Sequence, residues 1–94
     1  MLIKEIKANM GKIDVEAKII EKNEIREFSK FGKTGRVCNA MIEDDSGKIK
    51  LTLWNDEIEK VNIGDKIKIT NGYCSEFQGE KQLSAGRFGK LEKV

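Results

Sequence analysis

Asp44-Asp45-Ser46-Gly47-Lys48-Ile49-Lys50-Leu51-Thr52-Leu53-Trp54 is a turn followed by strict alternation. Asp-Asp-Ser-Gly is turn chemistry: short polar side chains bond nearby backbone, and glycine tolerates dihedrals closed to other residues. Beyond the turn, Ile49, Leu51 and Leu53 share one face of a β-strand, and Lys48, Lys50, Thr52 and Trp54 share the other. The aliphatic face must meet a core. The opposite face then holds a tryptophan, a ring costly to leave in water, beside two lysines. Such a ring can stack a nucleobase while the cations meet phosphates. The alternative also stands: Trp54 covers an open end of the fold or packs on the next helix, and the lysines only solubilise the surface.

Upstream, Ile13, Val15, Ala17 and Ile19 alternate with Asp14, Glu16 and Lys18, predicting a first strand. Residues 23–35 are polar, are punctuated by Gly32 and Gly35, and predict a loop or a floppy hairpin end. A second strand is predicted from about Arg36 to Glu43. Leu2, Ile3, Ile6 and Met10 recur at helical spacing, which predicts a short N-terminal helix or turn closed by Gly11. Downstream, Asn55 or Asp56 can cap a short helix through about Val61. Asn62-Ile63-Gly64-Asp65 turns the chain into a fourth strand, Lys66 to Asn71. Tyr73 to Lys81 predicts a loop, and a fifth strand begins near Gln82 with interruptions at Gly86 and Gly89. The expected fold class is all-β: a five-stranded OB-fold barrel with a short helix between strands 3 and 4, closed so that its strands leave no exposed edges.

The 94 residues suffice for one domain, 1–94, which can also be one domain of a longer chain. Hydrophobic residues make up 38% and charged residues 36%, a soluble globular balance. No apolar run approaches the roughly 20 residues of a membrane span, and the first residues lack a signal-peptide core. A cytoplasmic chain with no membrane contact is expected. Eighteen basic and sixteen acidic side chains leave a net charge of only +2, so the distribution of charge must carry any case for nucleic acid. Two cysteines and no histidine cannot complete a zinc site, and the commonest general base near neutral pH is missing. Glu43, Asp44 and Asp45 lack the ligand spacing of a calcium loop. No catalytic residue, metal or cofactor is expected, and the chain is not read as an enzyme.

Further candidates for a binding face follow. The 73–82 segment carries Tyr73, Phe77, Lys81 and Gln82. Alternation continued from Ile67 and Ile69 turns Tyr73 inward, whereas a bulge at Asn71-Gly72 turns it outward; the two readings stay open. Phe77 is flanked by polar residues and glycine. The 26–36 segment interleaves Arg26, Phe28, Lys30, Phe31, Lys33 and Arg36, either a clamp over a nucleic-acid strand or rings that anchor the loop to the barrel. Arg87 and Phe88, near the C-terminus, can add to the same face.

The block from Asp44 to Trp54 resembles the Asp-x-[Ser/Thr]-Gly-x-[Ile/Val]-x-Leu-x-Leu-Trp segment of archaeal single-stranded DNA-binding proteins. The later run Ile67-x-Ile69-x-Asn71-Gly72-Tyr73-x-x-x-Phe77-x-Gly79-x-x-Gln82-Leu83-Ser84-Ala85-Gly86 is similar to their fourth strand, next loop and fifth strand. The resemblance spans about residues 6–91 and extends to the OB domains of archaeal replication protein A. It implies base stacking by Trp54, Tyr73 and Phe77, and with it the bulge that faces Tyr73 outward. Backbone and polar contacts are expected from Arg26, Lys30, Lys33, Arg36, Lys48, Lys50, Lys81, Gln82 and Arg87, with Phe28 and Phe31 as further stacking rings. The expected partner is single-stranded DNA, bound with little sequence preference in replication, repair or recombination, which makes the protein nucleoid-associated. Other OB domains or replication and repair proteins are the expected protein partners. The alternatives are an RNA-binding OB domain and a protein-interaction OB domain of a larger replication assembly.

Overall fold

In the computed structural model, which describes residues 1–85 and 89–94, the alternating stretch forms strand β3, Gly47–Trp54. Ile49, Leu51 and Leu53 are buried and Trp54 is exposed, as the period of two requires. Around it run β1 (Met10–Lys30), β2 (Lys33–Asp44), helix α1 (Asp56–Lys60), β4 (Lys66–Phe77), β5 (Glu80–Ser84) and β6 (Lys90–Lys93).

The strands are ordered β1-β2-β3-β5-β4, and β1 pairs with β4 to close a five-membered ring. This is the expected OB barrel with its helix between β3 and β4. Among the described residues only the β3–β5 pair is parallel; the other ladders are antiparallel. β1 is long because it serves two ladders: Met10 to Lys18 face β4, and Lys18 to Lys30 face β2. β6 pairs with Ile67 to Thr70 of β4, on the side away from β1 and the same side as β5.

Inside, one row of the ladders runs Ala40–Leu51–Leu83–Cys74 across β2, β3, β5 and β4, every member buried. Ile58 and Val61, in and just after α1, are buried in the same core. The Lys22 ammonium on β1 donates to the carbonyls of Ile58 and Val61, at 2.7 and 2.9 Å, satisfying acceptors at the helix C-terminus. Cys38 and Cys74 are free buried thiols.

Of the expected N-terminal helix or turn, the structure has a single 3-10 turn, Ile3–Glu5. An isolated helix of eleven residues is marginal in water, and Ile3 and Ile6 are buried in the barrel core instead. Of the two readings of the polar stretch 23–35, the hairpin end holds: it forms the paired arms of a β1–β2 hairpin turning on Phe31 (φ 52°) and Gly32 (φ 75°). The segment 73–81 is not the expected loop but a second hairpin, turning on Gln78 (φ 52°) and Gly79 (φ 83°). Both arms carry mostly exposed residues, so neither shows the apolar alternation by which a strand is recognised. Asn55 stands at the start of α1 without capping it: its Oδ1 accepts from the Arg36 amide at 2.9 Å.

Candidate nucleic-acid interface

Residues opposed in a ladder point to the same side of a sheet, so the outward face follows from the register. Arg26, Val37 and Trp54 form one row across β1, β2 and β3. The next is Asn39–Thr52–Ser84–Tyr73, across β2, β3, β5 and β4. Below it lies Met41–Lys50–Gln82–Ser75. Phe77 opposes Glu80, and Lys48 opposes Glu43. This face carries three rings, Trp54 at 42% exposure, Tyr73 at 47% and Phe77 at 61%. Trp54 and Tyr73 stand two strands and one outward row apart, about 12 Å at ordinary strand geometry.

Local chemistry fixes each ring. The Trp54 amide donates to Glu57 Oε1 at 3.0 Å, and the Asn55 amide to the Arg36 carbonyl at 2.9 Å, so the end of β3 is pinned on both sides. Burial pushes the Glu57 carboxyl above its ordinary value, against the pull of the Trp54 amide and Lys60. Phe28 meets Trp54 edge-to-face, with centroids 5.9 Å apart and planes at 86°. Its ring lies over Gly35, its ladder partner.

Tyr73 owes its outward position to a bulge. Ile13 pairs with Gly72 but Val15 with Ile69, so β4 carries one extra residue there. Asn71 adopts φ 55°, and its amide donates to Asp14 Oδ1 at 2.9 Å. Gly72 fits because a Cβ would lie 2.7 Å from Ile69 Cγ2 and 3.0 Å from the Ser84 carbonyl oxygen. The extra residue reverses the alternation set by Ile67 and Ile69, turning Cys74 inward and Tyr73 outward.

Of the expected polar contacts, Arg26, Lys33, Lys48, Lys50 and Gln82 occupy outward rows. Lys30 opposes Lys33 in the register, and Phe31 stands at the hairpin tip, 92% exposed. Two expected residues lie off the face. Arg36 alternates to the other side of β2 and pairs with Glu59 of α1 at 2.6 Å. Lys81 opposes Glu76 rather than an outward residue, and its ammonium donates to the Ile6 carbonyl at 2.9 Å. Arg87 and Phe88 lie outside the described residues. Beside Thr52, the face also holds Asn39, Met41, Ser75 and Ser84. Alternation along β2 signals the first two of these, but the two serines need the β4–β5 pairing.

A groove of about 550 Å³ continues the face between the start of β3 and the β4–β5 turn, lined by Lys4, Met41, Lys48, Lys50, Gly79 and Glu80 among others. Another hollow of about 580 Å³, between β1, β4 and the β2–β3 turn, has mixed charges and no aromatic lining. Among the described residues no group of three or more Cys, Asp or Glu is placed to hold a metal ion, and no helix is long and apolar enough to cross a membrane.

Comparison with known proteins matches residues 13–91 to the family described as the OB-fold nucleic acid binding domain. The chain belongs to that family. The domain is 29% identical over 89 residues to the single-stranded DNA binding protein of Saccharolobus solfataricus, covering 95% of this chain and 60% of the relative. It is 35% identical over 90 residues to replication factor A of Methanothermobacter thermautotrophicus, covering 95% of this chain and 11% of that protein. The domain thus spans only part of each of these relatives. Among solved structures, an OB domain from Thermoplasma acidophilum superposes with a TM-score of 0.84 at 24% identity, covering all of this chain and 85% of that one. A crystal structure of a replication protein A domain from Methanococcus maripaludis gives 0.78 at 26% identity, covering 99% and 94%. The resemblance to archaeal single-stranded DNA-binding and replication protein A domains is thereby established.

Proposed function

We propose that the domain binds single-stranded DNA with little sequence preference, stacking bases on Trp54, Tyr73 and Phe77 while Arg26, Lys33, Lys48 and Lys50 meet the backbone. The observation that carries this reading is the bulge at Asn71-Gly72. It spends an extra residue and a side-chain bond from Asp14 to expose a tyrosine that plain alternation would have buried. A large ring held in water beside other rings and lysines is what base stacking uses. Every base offers a π-face, so such a site tolerates any sequence. The relatives' names favour the same ligand, and Asn39, Thr52, Gln82 and Ser84 add polar groups between the rings.

Trp54 is the only tryptophan, so its fluorescence reports one position during titration with poly-dT. Quenching that added salt reverses is the expected result, because phosphate contacts release counterions. Trp54→Ala is expected to weaken binding by about 1–3 kcal/mol while the fold survives. Unchanged affinity in a folded Trp54→Ala variant removes that ring from the site. Competition with a matched RNA oligomer decides which nucleic acid is preferred. Salt-insensitive capture of a protein, with no oligomer binding, would overturn the reading in favour of a protein-interaction domain.

A further inference from the structure

The outward cations fall into two sets. On the β1–β2 hairpin, no ion pair holds Arg26 or Lys33 among the described residues. On β3, both lysines are engaged by carboxylates from neighbouring strands. Lys48 meets Glu43 at 3.6 Å, a loose pair along one row. Lys50 is held much more closely, its ammonium 2.8 Å from Glu80 Oε2. Glu80 comes from the far side of the groove, at the start of β5, beside the β4–β5 turn. The ion pair therefore spans the groove. In the ladder Glu80 is also the direct partner of Phe77, so an oxyanion stands next to a stacking ring and on the lysine that ring's nucleotide would use.

We propose that Glu80 is a specificity-determining residue that stands in for a phosphate on Lys50 in the free domain and must be displaced when a strand enters the groove. The proposal rests on the single-strand reading above. The Lys50 side chain is 26% exposed and that of Glu80 65%, so the carboxylate is free to swing into water once a phosphate replaces it. Glu80 is ionised at neutral pH as any exposed glutamate is, and the hydrogen bond and charge of Lys50 hold its carboxyl further below the ordinary value. An exposed ion pair is weak, and the exchange is correspondingly cheap. Its effect is selective. A polyanion that offers only charge gains little by swapping one anion for another on Lys50. A single strand gains the same exchange and, in addition, base stacking on Phe77, Tyr73 and Trp54. The small net charge of the domain then serves discrimination: with part of its positive face internally neutralised, stacking decides which polyanion binds.

The test measures binding of fluorescein-labelled oligo-dT and of a duplex of the same length across a salt series, for wild type, Glu80→Gln, Lys50→Met and the double variant. Glu80→Gln is expected to tighten oligo-dT binding by up to about fivefold, the most that an exposed ion pair is worth. The slope of log K against log salt should stay that of wild type, since Lys50 meets the same phosphate in both. Duplex affinity should rise by the larger factor, because a duplex lacks the stacking that displaces Glu80 in wild type, and the preference for single strands should narrow. In the Lys50→Met background the gain should vanish, because Glu80 acts through that lysine. Unchanged affinity in Glu80→Gln overturns the proposal. So does an equal gain without Lys50, which would mark Glu80 as bulk negative charge. A duplex affinity that rises no more than that of oligo-dT overturns the selectivity. Failure of wild type to bind oligo-dT would sink the single-strand reading and this proposal together, whereas wild-type binding indifferent to Glu80 sinks only the latter.

Discussion

Gly35 has no side chain, and the Phe28 ring lies where one would begin: a Cβ there would sit 2.5 Å from Phe28 Cζ. That vacancy lets Phe28 cross its strand neighbour and reach Trp54. Edge-to-face pairs are worth about 0.5–1.5 kcal/mol beyond buried area, enough to bias the orientation of a half-exposed tryptophan. Gly35→Ala is therefore expected to leave the fold intact, because the far end of a ring can tilt away, yet to shift Trp54 emission and weaken oligo-dT binding. A double-mutant cycle separates positioning from direct contact. If Phe28 works through Trp54, Phe28→Ala costs much less affinity in a Trp54→Ala background; additive losses mean Phe28 meets a base by itself. The pairing was not legible in the sequence, where Phe28 is one ring in a polar run. It depends on the β1–β2 register, which opposes Phe28 to Gly35 and Arg26 to Val37.

At the scale of elements, the turn before β3 does more than reverse the chain. Asp44 Oδ1 accepts from the amides of Ser46 and Gly47, at 2.7 and 3.1 Å, and Oδ2 from the amide of Ile3 at 2.8 Å. One carboxylate thus closes the β2–β3 turn and ties down the N-terminal segment that seals the barrel. Desolvation raises its pKa, but the bonds from Ser46, Ile3 and Gly47 outweigh that and leave it below the ordinary 3.8. A carboxyl whose folded value is depressed stabilises the fold above the unfolded value and loses that contribution as pH falls through the folded one. Asp44→Ala should accordingly reduce stability to urea at pH 7, with the gap to wild type closing once pH drops well below 3.8. A gap of unchanged size at pH 2 would mean that the carboxylate charge contributes nothing. The turn itself was plain from Asp-Asp-Ser-Gly, but its grip on Ile3, 41 residues away in sequence, was not.

Over the whole molecule, the ring of strands and the two segments that close it form one continuous core. Leu51 sits in its middle row, 1% exposed. Leu51→Ala should cost about 2–5 kcal/mol, a large part of the roughly 5–15 kcal/mol that holds a domain together; urea unfolding reads the difference directly. A loss under 1 kcal/mol would contradict the closed packing of that row. The same variant leaves every outward residue in place, so any loss of binding should follow the folded fraction.

The sequence by itself determined the buried face of β1 and β3, the turn at Asp44 to Gly47, the helix before β4 and hence the barrel. Each of these rests on local periodicity or on the turn chemistry of adjacent residues. It also placed Trp54 outward, because β3 alternates without a break. Tertiary structure decided the rest. The tips of the hairpins at Phe31-Gly32 and Gln78-Gly79 are solvated on both sides and carry no apolar period to read. The outward turn of Tyr73 depends on a bulge held by Asp14 from another strand. The register of the ladders turned Arg36 and Lys81 away from the face, where an acid on α1 and a carbonyl of the N-terminal segment meet them, and Glu80 came to Lys50 only because β5 runs parallel beside β3. Long-range pairing brings such partners together, and no pattern within either segment announces it.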